Sequence, residues 1–244
     1  ELRALHTRGY QPQHIVVAAA GHVEHDELLD ILRRTGWDAV PRGDAPAPVA
    51  PAPRSDAPVV RHVERDAAQM QIVFGSQTIP YGHPHRHAVT LASTLLGGGM
   101  SSRLFQRVRE EMGLAYSVSA FHSFHVDSGT LGVYLATSPE NSERAIEAVR
   151  NELQDVADHG FSAEEIASGK GQLKGQITLS LESPSSRMYR AAGTELYGEP
   201  FRPIDDVLSE IDAIASDDVS TMTRAYFAPD RQTVLSLGPT AGAA

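Results

Sequence analysis

Cysteine is absent from this 244-residue chain, which excludes disulfide bonds, thiolate metal ligands and a cysteine nucleophile. Clusters of lysine and arginine are also missing, and the formal net charge is −10. Because nucleic acids and anionic membrane surfaces are bound through clustered positive charge, we expect neither kind of partner. No apolar run approaches the roughly 18 residues of a membrane span, and we find no basic-then-apolar leader. Nothing requires an oxidising compartment, so the cytoplasm is favoured.

The remaining composition is typical of a soluble globular protein, with 41% hydrophobic and 21% charged residues. This length allows one large or two modest domains, each able to bury a core. The first residue is Glu1 rather than methionine. That start indicates either processing or a fragment.

The first 40 residues predict an incomplete domain. Residues 1–10 are typical of the end of a helix, residues 15–20 of a buried strand, and residues 26–34 of an amphipathic helix. One strand and about two helices cannot cover both faces of that strand, so this part requires partners from outside the chain. Residues 41–57, rich in proline and alanine, then predict an extended interdomain linker.

Residues 58–244 predict an α+β domain. Its strands and helices are ordered as strand, two helices, two strands, several helices and strand; the predicted strands are residues 69–74, 114–124, 130–137 and 232–237. The second and third strands form an antiparallel hairpin. We therefore expect an antiparallel sheet covered by helices mainly on one side.

Eleven histidines raise the question of a metal site. His83 and His87 have the spacing of two zinc ligands on a helix, but Arg86 stands where a zinc peptidase requires a carboxylate base. The other candidates are weaker: His22 with His25 at a polar turn, and His122 with His125 on opposite faces of a strand. The sequence therefore predicts no metal ligand in this chain.

A glycine run, Gly97, Gly98 and Gly99, precedes a predicted helix that begins at an N-cap, Ser101 or Ser102, and ends at Gly113. Helix N-termini bind anions, but the spacing is not that of a phosphate loop and no lysine follows. The serine elbow Gly-x-Ser-x-Gly is absent. A plain loop and a peptide-binding loop both remain open.

Arg109 and Tyr116 flank the tight turn between this helix and the following strand. They are close enough along the chain to reach one ligand. Two other roles are open: Arg109 can stabilise the helix C-terminus, and Tyr116 can fill space in the sheet.

These motifs resemble a known family. The run Leu-Gly-Gly-Gly-Met-Ser-Ser-Arg-Leu-Phe-Gln, followed by Val-Arg-Glu and Gly-Leu-Ala-Tyr-Ser-Val, is similar to the C-terminal half of the pitrilysin/insulinase peptidases, which include mitochondrial processing peptidase and bacterial relatives. The similarity extends forward to Ser162-Ala-Glu-Glu165 and back to Arg8-Gly-Tyr-Gln-Pro12. Residues 1–40 resemble the end of the N-terminal half.

The resemblance implies two similar α+β halves that close around a peptide like a clamshell. The first half carries zinc through His-x-x-Glu-His, a motif that this chain lacks. The chain would then bind no zinc, be inactive alone, and act in a zinc metalloendopeptidase with an N-terminal half or a partner chain, as a homo- or heterodimer. The alternative is a non-catalytic structural or binding subunit of a larger complex.

The resemblance also assigns roles to site residues. Arg109 and Tyr116 match the family pattern Arg-x-x-x-x-Gly-x-Tyr, in which Arg109 would hold a substrate backbone carbonyl. Tyr116 would donate its hydroxyl hydrogen to the oxyanion formed when water attacks the peptide carbon. Gly97, Gly98 and Gly99 would be a short form of a substrate-binding loop.

Overall fold

The computed structural model describes residues 1–43 and 57–239. The chain divides into two compact units. The helical unit comprises Glu1–Ala52 and Gln176–Arg202, and the sheet unit comprises Pro53–Gly175 and Pro203–Ala244. Most of the predicted linker, residues 41–57, lies outside the described residues. The predicted domain bounds, residues 1–40 and 58–244, remain a prediction.

The sheet unit is built on five strands. They are β1 (Val60–Glu64), β2 (Met70–Thr78), β3 (Ser117–Phe124), β4 (Gly129–Thr137) and β5 (Thr233–Gly238). Their order across the sheet is β1-β5-β2-β4-β3. All neighbours are antiparallel except β1 and β5, which are parallel. The predicted β3–β4 hairpin is confirmed, with Val118 opposite Leu135.

Eight α-helices and one π-helix are present in the described residues. The α-helices are α1 (Leu2–Gly9), α2 (His25–Arg34), α3 (Arg86–Gly97), α4 (Ser142–His159), α5 (Ala163–Ser180), α6 (Pro184–Leu196), α7 (Ile204–Asp212) and α8 (Ser216–Tyr226). The π-helix spans Phe105–Glu111, between α3 and β3. Three short 3₁₀ turns begin at prolines, Pro12–His14, Pro139–Asn141 and Pro229–Arg231, and a fourth is Trp37–Ala39.

The core of the sheet unit lies between one face of the sheet and the helices. Met70, Ile72 and Phe74 alternate along β2 and are all buried. Within this unit α3 packs on β3, α8 packs on β2, and α8 also contacts α3 and α4. Side chains of alternate residues point to one face of a strand, so the apolar positions of β2 meet the helices together. The predicted α+β class, a sheet covered by helices, is confirmed.

The strand β1 was not predicted. Only Val63 of its five residues is even half-buried, and the other four are exposed. Edge strands often carry polar and charged side chains, so β1 lacks the apolar alternation that identifies a central strand. Its register is set by its parallel pairing with β5 instead.

The helical unit contains α1, α2, α6 and the end of α5. None of its described residues is buried. The strand predicted over residues 15–20 is not formed here: this segment has no strand neighbour in the part of the chain that the structure describes. Ile15 has the extended backbone of a strand (φ −117°, ψ 128°), but a strand forms only when a second strand pairs with it.

Candidate functional site

Arg109 lies in the last turn of the π-helix. The winding is shown by the backbone bond from the Met112 N–H to the Arg107 carbonyl, five residues back. Leu104 and Val108 are fully buried and hold one face of this segment against the core. Met112, which directly follows the π-helix, is exposed. The prediction that Ser101 or Ser102 caps this helix is wrong: the helix has no side-chain capping bond, and the Ser102 hydroxyl donates to the Gly99 carbonyl.

The turn from the π-helix to β3 is tightly held. Gly113 has a left-handed backbone (φ +62°), and the Leu114 N–H donates back to the Val108 carbonyl at 2.9 Å. Leu114 and Ala115 are buried, and the Leu114 carbonyl accepts a bond from the Thr137 hydroxyl at 2.6 Å. The backbone between the two candidate residues is therefore fixed by the core.

Tyr116 directly precedes β3. Its N–H donates to the Ala136 carbonyl at 2.9 Å, while 63% of its surface is exposed. The strand predicted to begin at residue 114 begins three residues later, at Ser117. The Tyr116 hydroxyl has no hydrogen-bond partner among residues 1–43 and 57–239. It does not simply fill space in the sheet.

The Arg109 guanidinium is also accessible. Its side chain is 43% exposed and lies over the Phe105 ring at 4.6 Å. Its one ionic neighbour within the described residues is distant, the Glu110 carboxylate at 3.9 Å. Arginine offers only donors, and a phenol hydroxyl can donate as well. The two groups can therefore recognise an acceptor such as a peptide carbonyl or an oxyanion.

The glycine run has a packing explanation at its first position. Gly97 is buried, and a Cβ there would lie 2.2 Å from the Ala120 nitrogen, so only glycine lets α3 approach β3 this closely. Gly98 is exposed, and Gly99 faces the Gln172 amide, which a Cβ would meet at 3.3 Å. A substrate-binding role for Gly97, Gly98 and Gly99 stays a prediction.

The described residues do not provide a zinc site. No group of three or more histidine, aspartate and glutamate side chains within them could hold a metal ion. His85 lies 3.6 Å from Asp218 and His87 lies 3.5 Å from Glu210, in two separate pairs. Burial lowers the pKa of His122, whose ring lies 3.4 Å from the Thr90 hydroxyl.

Neither of the two cavities found among the described residues includes the candidate pair. A cavity of about 230 Å³ in the sheet unit is lined by residues of α3, the loop after it and α5, including Leu95, Ser102 and Gln172. A larger groove of about 650 Å³ lies in the helical unit. Neither includes Arg109 or Tyr116, which lie on an open surface. We expect such an open surface where one half of the fold contributes residues to a binding site that the other half completes.

An ion-pair cluster near the π-helix was missed by sequence reasoning. Arg103 donates from Nε and Nη2 to both carboxylate oxygens of Glu165, at 2.6 and 2.9 Å, and from Nη1 to Asp155 at 2.7 Å. It also donates to the Gly160 carbonyl at 3.1 Å and lies over the Phe161 ring at 4.9 Å. Hydrogen bonding to Arg103 lowers the pKa of Glu165 to about 2. The capping box Ser162–Glu165 was visible in the sequence and is confirmed, with bonds of 2.7 and 3.2 Å, but its link to Arg103 was not.

The chain belongs to the peptidase M16 family. The protein-family model described as "Peptidase M16 inactive domain" matches residues 1–173 of this chain. The family resemblance read from the motifs is confirmed, as is the prediction that this chain is the half of the fold without the zinc motif.

Curated relatives carry names of the same kind. An uncharacterized zinc protease of Mycobacterium tuberculosis is 38% identical over 98% of this chain and 55% of its own length. Another from Streptomyces coelicolor is 36% identical over 91% of the chain and 50% of its own length. The chain thus spans about half the length of the curated relatives it matches.

Solved structures share the fold. A peptidase M16 inactive domain from Pseudomonas fluorescens has a TM-score of 0.87 at 24% identity, over 98% of this chain and 57% of its own. A protease from Helicobacter pylori has a TM-score of 0.82 at 20% identity, over 98% and 58%. A chain of complex III2 from Candida albicans has a TM-score of 0.72 at 16% identity, over 89% and 53%. In the residues with described structure, no helix is both long and apolar enough to cross a membrane.

Proposed function

We propose that this chain is the substrate-facing, zinc-free half of a zinc metalloendopeptidase that hydrolyses peptides or unfolded segments, and that it works in the cytoplasm. The observation that carries the proposal is the presentation of Arg109 and Tyr116. Two hydrogen-bond donors project from a backbone that buried residues hold in place, and neither is committed to a strong partner in the described structure. Surface donors with no structural task are candidates for binding substrate.

The roles proposed for these residues follow from their chemistry. Arg109 donates N–H groups to a backbone carbonyl of the bound peptide, which positions the scissile bond. Tyr116 donates its hydroxyl hydrogen to the carbonyl oxygen of the scissile bond as negative charge develops there. Since the described residues do not fit zinc, the metal and the general base come from an N-terminal half or a partner chain, and this chain alone hydrolyses nothing.

An internal repeat supports the proposal that residues 1–40 complete that other half. In the sheet unit, two residues separate the end of α8 from Pro229, which begins a 3₁₀ turn that is followed by β5, ending at Gly238. In the helical unit, two residues separate the end of α1 from Pro12, which begins a 3₁₀ turn that is followed by a segment starting with the extended backbone of Ile15 and reaching Gly21. Both proline-to-glycine spacings are nine residues.

The repeat indicates what the extended segment requires. β5 lies between a parallel neighbour, β1, and an antiparallel neighbour, β2. By the same arrangement residues 15–20 are one strand of a second sheet. Its other strands would come from the zinc-bearing half, for which the greater length of the relatives leaves room.

The test uses the complete protein, or this chain reconstituted with the zinc-bearing half, and reduced carboxymethylated α-lactalbumin as an unfolded substrate. We expect chelator-sensitive cleavage whose kcat/KM falls about 10²–10³-fold in Tyr116→Phe, the range for loss of one oxyanion donor, and at least about 10-fold in Arg109→Ala. Arg150→Ala and Tyr189→Phe, exposed residues of the same types, are matched controls and should stay within about twofold. Undiminished chelator-sensitive cleavage in both site variants would show that the assignment is wrong.

A second candidate function is that of a non-catalytic structural or binding subunit, because a chain of complex III2 has the same fold. A search for His-x-x-Glu-His in the rest of the polypeptide and in its partner chains separates the two. If the motif is absent from both, and no chelator-sensitive cleavage is found, the second candidate replaces the first.

A further inference from the structure

Arg103 is the most heavily bonded side chain near the candidate site. Its guanidinium makes four hydrogen bonds, to Glu165, Asp155 and Gly160, and its side chain is only 21% exposed. Bidentate arginine–carboxylate pairs are stronger and more directional than single ion pairs. This cluster therefore differs from an exposed salt bridge, which contributes little to stability.

The acceptors of Arg103 are themselves held in place. The Glu165 carboxylate also accepts the Ser162 N–H at 2.7 Å, and Asp155 also lies 2.9 Å from the His159 ring. Gly160 ends α4 with φ +73°, a conformation that favours glycine. Arg103 thus joins the start of the π-helix segment to a rigid junction between α4 and α5.

The position of Arg109 depends on this segment. Arg103 precedes Arg109 by six residues in one continuous helical stretch, residues 103–111. Leu104 and Val108 are buried and attach one side of the stretch to the core. Their apolar contacts are non-directional. Directional hydrogen bonds are needed to set the rotation and axial position of the helix, and at its start Arg103 supplies them.

We propose that Arg103 is a positioning residue for substrate binding, which acts by holding the π-helix so that Arg109 meets the peptide. The inference rests on the proposed function, because it needs Arg109 to bind substrate. Arg107 offers a contrast on the same helix: its side chain is 59% exposed, with single contacts to Glu111 at 3.2 Å and Glu152 at 3.6 Å. Arg107 cannot hold the helix in the same way.

The experiment is a double-mutant cycle on the complete or reconstituted protein. The variants are Arg103→Lys, Arg109→Ala and the combination of the two. Arg103→Lys keeps the charge but loses the bidentate fork. The readout is the Kd for fluorescein-labelled reduced carboxymethylated α-lactalbumin, measured by anisotropy with the zinc chelated. This readout needs no turnover, so even weak variants can be compared.

We expect Arg103→Lys to raise Kd about fivefold when Arg109 is present and less than about twofold in the Arg109→Ala background, since coupled residues are not additive. Glu165→Gln should also raise Kd more when Arg109 is present than in the Arg109→Ala background, but by a smaller factor. This variant replaces Arg103→Lys in the cycle if Arg103→Lys folds poorly. Arg150→Lys, a change of the same kind on α4, is the control and should leave Kd unchanged.

Two outcomes overturn the inference. If Arg103→Lys raises Kd by the same factor in both backgrounds, or in neither, Arg103 does not act through Arg109. If Arg109→Ala itself leaves both Kd and cleavage unchanged, the proposed function fails as well, which distinguishes this case from failure of the positioning role alone.

Discussion

The sheet unit and the helical unit differ in where their apolar side chains lie. Phe74, Leu135 and the other fully buried residues all belong to the sheet unit, whereas no described residue of the helical unit is buried. The helical unit also contains apolar side chains that lie together: Leu28, Leu29 and Leu32 of α2 line its groove with residues 15–19 and Trp37. These side chains stay half-exposed.

The difference shows that one chain can contain one complete and one incomplete hydrophobic core. A sheet covered by helices removes its apolar surface from water by itself. Residues 15–20 with three helices and the end of a fourth do not, so the apolar surface of this unit is available to other strands and helices. The exposed apolar side chains of the helical unit therefore support the proposal that other segments complete this domain.

The largest expected effect comes from the same substitution in the two units. Leu135→Ala, in the centre of the sheet, should lower the free energy of unfolding of this chain by about 2–5 kcal/mol. Leu29→Ala should lower it by less than about 1 kcal/mol, because that side chain is only partly buried here. Urea denaturation followed by circular dichroism measures both. Equal losses would contradict the contrast, and a larger loss for Leu29→Ala in the presence of the zinc-bearing half would sharpen it.

A medium effect is expected from replacing one glycine in each unit. Gly97→Ala forces a Cβ against the backbone of β3 and should cost about 1–3 kcal/mol. Gly193→Ala, within α6 and with nothing within 4 Å of the added Cβ, should stabilise its unit by up to about 1 kcal/mol through helix propensity. Thermal unfolding of the two variants checks the opposite signs. A stable Gly97→Ala protein would show that α3 can move away from β3.

The smallest expected effect is the pH dependence of the Arg103–Glu165 pair in the sheet unit. The pKa of Glu165 is about 2 in the folded protein, below its ordinary value of 4.5. A lowered carboxyl pKa stabilises the folded state above the unfolded pKa, and this contribution is lost as the pH falls from about 4.5 towards 2. Because the pair is partly exposed, we expect Glu165→Gln to cost only about 1 kcal/mol at pH 7.

The measurement compares wild type with Glu165→Gln in urea at pH 7 and pH 3. The difference between their free energies of unfolding should be about half as large at pH 3 as at pH 7, because of the linkage between pKa and stability. Burial raises the pKa of Glu152, and a raised carboxyl pKa makes stability change with pH in the opposite direction. Both proteins contain Glu152, so its effect cancels when the free energy of unfolding of one protein is subtracted from that of the other. If this difference is the same at both pH values, the charge of Glu165 does not contribute to the stability of the folded protein.

Local patterns predicted most of the sheet unit. Alternation identified β2 and the β3–β4 hairpin, and the capping box marked the start of α5, because each of these signals depends on neighbours within a few residues. β1 was missed because its partner, β5, lies about 170 residues further along the chain. The association of residues 176–202 with residues 1–52 is equally remote in sequence and was not predicted.

The candidate site divides in the same way. Arg109 and Tyr116 were found from a motif and its spacing, and the sequence also allowed a turn at Gly113. The exposure of both side chains, the π winding of the helix and the bonds of Arg103 to Glu165 and Asp155 were not predictable. They depend on which atoms meet after the helices pack.

The sequence by itself determined the family of this protein, the absence of a zinc motif from the chain, and the two residues that carry the proposed chemistry. These features are local, since a motif is a run of residues at set spacings. Only the tertiary structure decided that one unit has a core while no described residue of the other is buried, and that Arg103, at the start of the helical stretch bearing Arg109, is bonded to Glu165 and Asp155. Burial and hydrogen bonding between distant segments exist only once the chain has folded, and therefore no local pattern records them.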